Sequence, residues 1–198
     1  MRIKFVFDEE KIIENLFYEI DSRDSVRAYG LDTILPPEEL CDLYLNNQLI
    51  YRNDIIDWAK NDIKIRNVTD VLNIVKNKWN NIENEFFEII AKIINRKPLE
   101  KYLVFFTFYG PGGSYQLPDK LFLRLALKDD FDYVDVNMAH EIIHLMVENV
   151  VLQYNLDHIE KELFVNSIMF QPEIAQIFGL KNEAIKNSKF YDNYKKYF

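Results

Sequence analysis

Tyr102-Leu103-Val104-Phe105-Phe106-Thr107-Phe108-Tyr109 is the stretch that decides the fold. It is almost wholly aromatic and β-branched, and too short for a buried helix, so it marks a buried strand in a chain whose other patterns are mostly helical. Downstream, Gly110-Pro111-Gly112-Gly113 makes a turn that holds three of the chain's five glycines. Ser114 to Leu117 then reads as a short extended segment, Pro118-Asp119 as a second turn and Leu121 to Leu127 as another strand. Upstream, Val71, Leu72, Val75, Trp79, Ile82, Phe86, Ile89, Ile90 and Ile93 form one apolar stripe, which predicts a helix from about Val68 to Asn95 that Pro98 stops. Nearer the start, Ile3 to Phe7 alternates as a strand does. Asp8 can cap a helix carrying Ile12, Ile13, Leu16, Phe17 and Ile20, and short helices follow over Glu38 to Asn46 and Asp54 to Asn61. The class expected is α+β, mainly helical with a small sheet of about three or four strands. One domain is expected over 1–198, with an N-terminal α/β extension at 1–65 and a core at 66–180.

Composition narrows the partners. With 198 residues, 48% of them hydrophobic and 15% aromatic, the chain can fill a core. A net charge of -8 with no basic stripe opposes binding to nucleic acid or anionic lipid. Cys41 is the only cysteine, which excludes an intrachain disulfide and a cysteine-based zinc site. Acidic residues stand at positions 8 to 10, where a signal peptide needs an apolar run, and no stretch has the length of a membrane span. A soluble, cytoplasmic protein is the expectation.

His140-Glu141-Ile142-Ile143-His144 carries the chemistry. Residues four apart lie on one face of a helix, so both imidazoles can reach one ion, and the pattern H-E-x-x-H is that of a tetrahedral zinc site. Glu141 would be the base that takes a proton from water on the metal, and not a ligand. Met138, Ile142, Ile143, Leu145, Met146, Val147, Val150 and Val151 make this helix apolar nearly all round, as in a core. From the chain's own frequencies of His and Glu, a chance match is on the order of one in a few hundred.

A third ligand is required. Residues 145 to 150 lack the glycine and histidine of the metzincin extension. Glu148 shares a face with His144 but stands about 12 Å of helix rise from His140. The next helix, expected from about Asp157 to Phe170, offers His158, Glu160 and Glu162. One turn after Glu162 stands Asn166, whose amide oxygen could accept the outer N–H of a ligating histidine, whereas Phe164 follows Glu160. That favours Glu162 and leaves Glu160 as the alternative.

These residues resemble the gluzincins, the thermolysin-like metallopeptidases whose second helix supplies a glutamate followed one turn later by Asp or Asn. The small size resembles the minigluzincins, and the likeness covers roughly Val68 to Phe178. The resemblance implies Zn²⁺ on His140, His144 and Glu162, and a short sheet beside an active-site helix and a glutamate helix. It makes the segment of Gly113, Ser114 and Tyr115 similar to the strand that pairs with substrate backbone. It also implies that Tyr154, or else His158, donates to the developing oxyanion. The expected activity is peptide-bond hydrolysis on a peptide or protein substrate. The alternative is a zinc-binding protein that is latent or non-catalytic, its cleft covered by the tail that carries Phe190, Tyr191, Tyr194, Tyr197 and Phe198.

Overall fold

The computed structural model describes residues 2–28, 33–65, 68–126, 128–180, 196 and 198. Four strands form one mixed sheet: β1 (Ile3–Val6), β2 (Tyr102–Thr107), β3 (Gly113–Gln116) and β4 (Lys120–Arg124), in the order β1-β2-β4-β3. β2 runs parallel to both neighbours, with Ile3 opposite Tyr102 and Val104 opposite Leu121. Covered on both edges and nearly both faces, it needs an unbroken apolar run, which is what its sequence has. β3 returns antiparallel on β4 with Ser114 opposite Phe122, and is the half-exposed edge strand. The fold is therefore α+β and mainly helical, with a small sheet.

Nine helices surround the sheet among the described residues: α1 (Glu9–Ala28), α2 (Glu38–Asn46), α3 (Gln48–Lys64), α4 (Val68–Asn80), α5 (Glu83–Ile93), α6 (Lys128–Asp132), α7 (Val134–Gln153), α8 (His158–Met169) and α9 (Pro172–Phe178). The Asp8 carboxylate accepts from the Lys11 N–H at 3.1 Å, so α1 is capped where the sequence predicts. α3 begins earlier than its apolar residues suggest because Asn47 caps it, accepting from the Ile50 N–H at 3.4 Å. The single helix predicted from Val68 to Asn95 is two. The chain turns after Asn80, a poor helix former, and the Ile82 N–H bonds back to the Trp79 carbonyl at 2.9 Å. That break brings the rings of Phe86 and Phe87 edge-on to Trp79, at 5.5 and 6.2 Å. The strand predicted over Leu121 to Leu127 ends at Arg124, and Leu127 lies outside the described residues. Tyr133 stands at the cap of α7, and Asp135 sits in its first turn, where a negative charge suits the helix dipole.

Two apolar clusters result. α1, α2 and α3 close around Ile12, Leu16, Ile20, Tyr44 and Ile55, together with Phe108 and Tyr109 from the end of β2. The sheet, α4, α5, α7, α8 and α9 share the larger one, to which β1 contributes Ile3. Arg124 and Asp130 join the two regions from a buried position. The guanidinium grips the carboxylate at 3.0 to 3.2 Å and donates to the Gly110 carbonyl at 3.0 Å, which fixes the glycine turn. α7 runs through the larger cluster between the sheet and α8. Among the described residues, no helix is long and apolar enough to cross a membrane. Phe190, Tyr191, Tyr194 and Tyr197 lie outside the described residues, while the Phe198 ring stacks 6.0 Å from Phe164.

Candidate metal centre

In the apolar body of α7, Glu141 and His144 are buried polar residues, and helical spacing turns His140 and His144 toward α8. Their Nε2 atoms stand 2.9 Å apart. Glu162 reaches across from α8, with Oε2 at 3.2 Å from His140 Nε2 and Oε1 at 3.3 Å from His144 Nε2. A tetrahedral zinc with ligands at about 2.0–2.1 Å separates neighbouring ligand atoms by about 3.3 Å. The two carboxylate oxygens each face one imidazole at close to that separation, one ligand atom from each residue lies within 4.8 Å of the others, and the donor set, two imidazoles and a carboxylate, suits zinc. Three lone-pair donors this close need a cation among them. A proton can satisfy one pair of them, and a metal ion all three.

The local sequence explains why Glu162 is the glutamate in the cluster. Asp157 caps α8 by accepting from the Glu160 N–H at 2.8 Å, and the Glu160 carboxylate reaches back to the Asp157 N–H at 3.4 Å. Glu160 is thereby committed to the start of its own helix, and Glu162, two residues on, faces α7. Asn166 lines the same cavity, but among the described residues no hydrogen bond joins its side chain to either imidazole. Among the described residues, the buried Nδ1 of His144 has no hydrogen-bond partner.

Charges in the cluster follow from burial and proximity. Burial lowers the His144 imidazole to about 4, so it is neutral and free to ligate. Burial also works against a charged His140, but its hydrogen bond to Glu162 and the nearby carboxylates outweigh it and raise the imidazole above the usual value. Glu162 is buried enough to favour its neutral form, yet the two histidines hold it well below the ordinary carboxylate range. Among the described residues Glu141 has no such hydrogen bonds, and burial raises it to about 7.

Gly113, the first residue of β3, explains where the Glu141 carboxyl group sits. A Cβ at position 113 would come within 2.7 Å of Glu141 Oε1, so the carboxyl group lies against bare backbone of the edge strand. Next along the strand, Ser114 lines the cavity and Tyr115 stacks on the His144 ring at 5.0 Å and 13°. The Tyr115 hydroxyl donates to Glu148 Oε2 at 2.5 Å and accepts from Lys161 Nζ at 3.2 Å. Burial, then the Glu148 hydrogen bond, push this phenol far above its usual range, so it stays protonated.

The structure thus brings His140, His144, Glu141, Glu162, Gly113, Ser114 and Tyr115 to one cavity of about 930 Å³, with Asn166 and His158 on its lining. It does not bring Tyr154. That residue is the C-terminal cap of α7, 44% exposed and off the cavity lining, about 15 Å of helix rise beyond His144. Lys161 and Glu19 are among the residues of this wall that carry no local signal in the sequence. Lys161 precedes Glu162. Glu19 belongs to α1 and meets the cavity only through the tertiary fold. Glu148 was legible as lying on the His144 face, and the structure gives it Tyr115 as a partner. No protein-family model, no curated protein sequence and no solved structure matches the chain.

Proposed function

We propose that the chain is a zinc-dependent peptidase of the gluzincin type, with His140, His144 and Glu162 as ligands. The observation that carries the proposal is the convergence of these three side chains beside a buried Glu141 held against the edge strand. Zinc held there would polarise the scissile carbonyl and acidify water. Glu141, basic enough near neutral pH, takes the proton from the attacking water and passes it to the leaving amine. β3 offers its free edge to an extended peptide, with Gly113, Ser114 and Tyr115 beside the reacting centre. A second cavity of about 420 Å³ continues along β3 between Tyr18 of α1 and Gln116, which gives the peptide a path. His158, on the cavity lining, is the side chain left to donate toward the developing oxyanion, since Tyr154 is elsewhere.

The displacement of Tyr154 is also the observation that favours a second reading, a protein that holds zinc without turning over peptide. One comparison decides between them. Glu141→Gln is expected to keep its metal and lose peptide hydrolysis that the wild type shows. A wild type that carries zinc but cleaves no peptide in a mixed library supports the second reading, and a fully active Glu141→Gln refutes the mechanism. The lone buried thiol of Cys41 is compatible with a reducing, cytoplasmic setting, which belongs to the same proposal.

A further inference from the structure

Glu19 stands on α1 at 3% exposure, and it lines the same cavity as the metal cluster. Its carboxyl group packs against Gly110, where a Cβ would lie 2.7 Å from Glu19 Cδ, as Glu141 packs against Gly113 at the other end of the turn. Three residues span at most about 10 Å, so the two carboxyl groups border one cavity within the length of a few extended residues.

The molecule treats its buried carboxylates differently. Asp130 receives a bidentate guanidinium from Arg124 and the Ala126 N–H. Glu19 has the Asn15 side chain as its hydrogen-bond partner, and among the described residues no cationic side chain pairs with it. Lys161, the lysine on the cavity lining, is engaged with Tyr115. A buried carboxylate without a cation is costly, and one placed on a cavity wall can recover that cost from a ligand. Tyr18 and Ser22 extend the same wall of α1.

We propose that Glu19 is a specificity residue that receives a cationic group of the substrate, an ammonium or guanidinium, as the peptide lies beside Glu141. The word substrate rests on the peptidase reading. The cation itself can come from a free α-amine or from a Lys or Arg side chain, and the chemistry at Glu19 is the same.

Binding is measured by calorimetry on the full chain carrying Glu141→Gln, so that no peptide is consumed. Three kinds of hexapeptide are compared: capped at both ends with norleucine, capped with lysine in place of norleucine at each position in turn, and uncapped at the N-terminus without lysine. At least one cationic form is expected to bind about tenfold more tightly than the neutral one. Adding Glu19→Gln should abolish that advantage and leave binding of the neutral peptide unchanged, which also reports an intact fold. A preference for the capped lysine peptide identifies a side chain as the source, and a preference for the uncapped peptide identifies the α-amine. Equal binding of all peptides, a preference that survives Glu19→Gln, or no binding overturns the inference. Hydrolysis by the wild type is read separately. Glu19-dependent binding without hydrolysis ends the peptidase reading and keeps the cation site, and hydrolysis without cationic preference does the reverse.

Discussion

Replacing Glu19 by Gln should change how stability depends on pH, and the size of the change follows from the structure. Burial raises the Glu19 carboxyl group to about 7 against an ordinary value of 4.5, with the Asn15 hydrogen bond opposing the shift. Between those values the folded chain keeps a proton that the unfolded chain has released. The folded state binds more protons there, so stability falls as pH rises. The contribution is fully present below about pH 4.5 and gone above about pH 7, and at about 1.4 kcal/mol per unit the loss comes to roughly 3 kcal/mol. For a chain of this size that corresponds to roughly 6–12 °C in Tm. Glutamine keeps the shape and the hydrogen bond but carries no titrating proton. The difference in Tm between Glu19→Gln and wild type, followed by circular dichroism from pH 4.5 to pH 8, should therefore grow with pH in favour of the variant. Taking the difference cancels the other titrating groups. Parallel curves would show that Glu19 is not the buried, cation-free carboxyl group described here.

The glycine turn supplies an internally controlled pair. Gly113→Ala pushes a methyl group into Glu141 and should lower kcat by about a hundredfold with zinc content unchanged, because misplacing a reacting group by an ångström costs that much. Gly112→Ala meets nothing nearer than Asn137 at 3.6 Å and should behave as wild type, so equal activity of the two variants contradicts the placement of Glu141. Asp130→Ala strands the Arg124 guanidinium at a buried site and should destabilise the fold by about 3–5 kcal/mol in urea unfolding. A cost under about 1 kcal/mol, the value of an exposed pair, would mean that the ion pair does not fix the turn.

What was legible in the sequence was what repeats locally. The apolar run of β2 and the four-residue spacing of His140 and His144 are set by strand and helix geometry, and both stand where the periods put them. The break between α4 and α5 is masked in the sequence because the apolar stripe continues through Ile82, so the weak helix propensity of Asn80 and Asn81 does not stand out until the Ile82 N–H is seen to bond back to Trp79 and the rings of Phe86 and Phe87 to pack on it. Glu162 was favoured through Asn166, whereas the structure separates the two glutamates by a cue in plain sight: Asp157 and Glu160 stand at capping-box spacing and occupy each other. Tyr154 was placed by analogy of position, and the straight run of α7 carries it away from the cavity. Glu19 had no local signature, since its meeting with Gly110 depends on how α1 docks on the end of β2.

If the two histidines and Glu162 hold one zinc ion, elemental analysis will find it. Protein purified without a metal-affinity tag is analysed as wild type, Glu162→Ala and Glu160→Ala. About one zinc per chain is expected in wild type. Loss of that zinc is expected in Glu162→Ala and retention in Glu160→Ala, since Glu160 takes part in the capping box of α8 and not in the cluster. No zinc in the wild type after incubation with zinc, or zinc retained by Glu162→Ala and lost by Glu160→Ala, would contradict this ligand set.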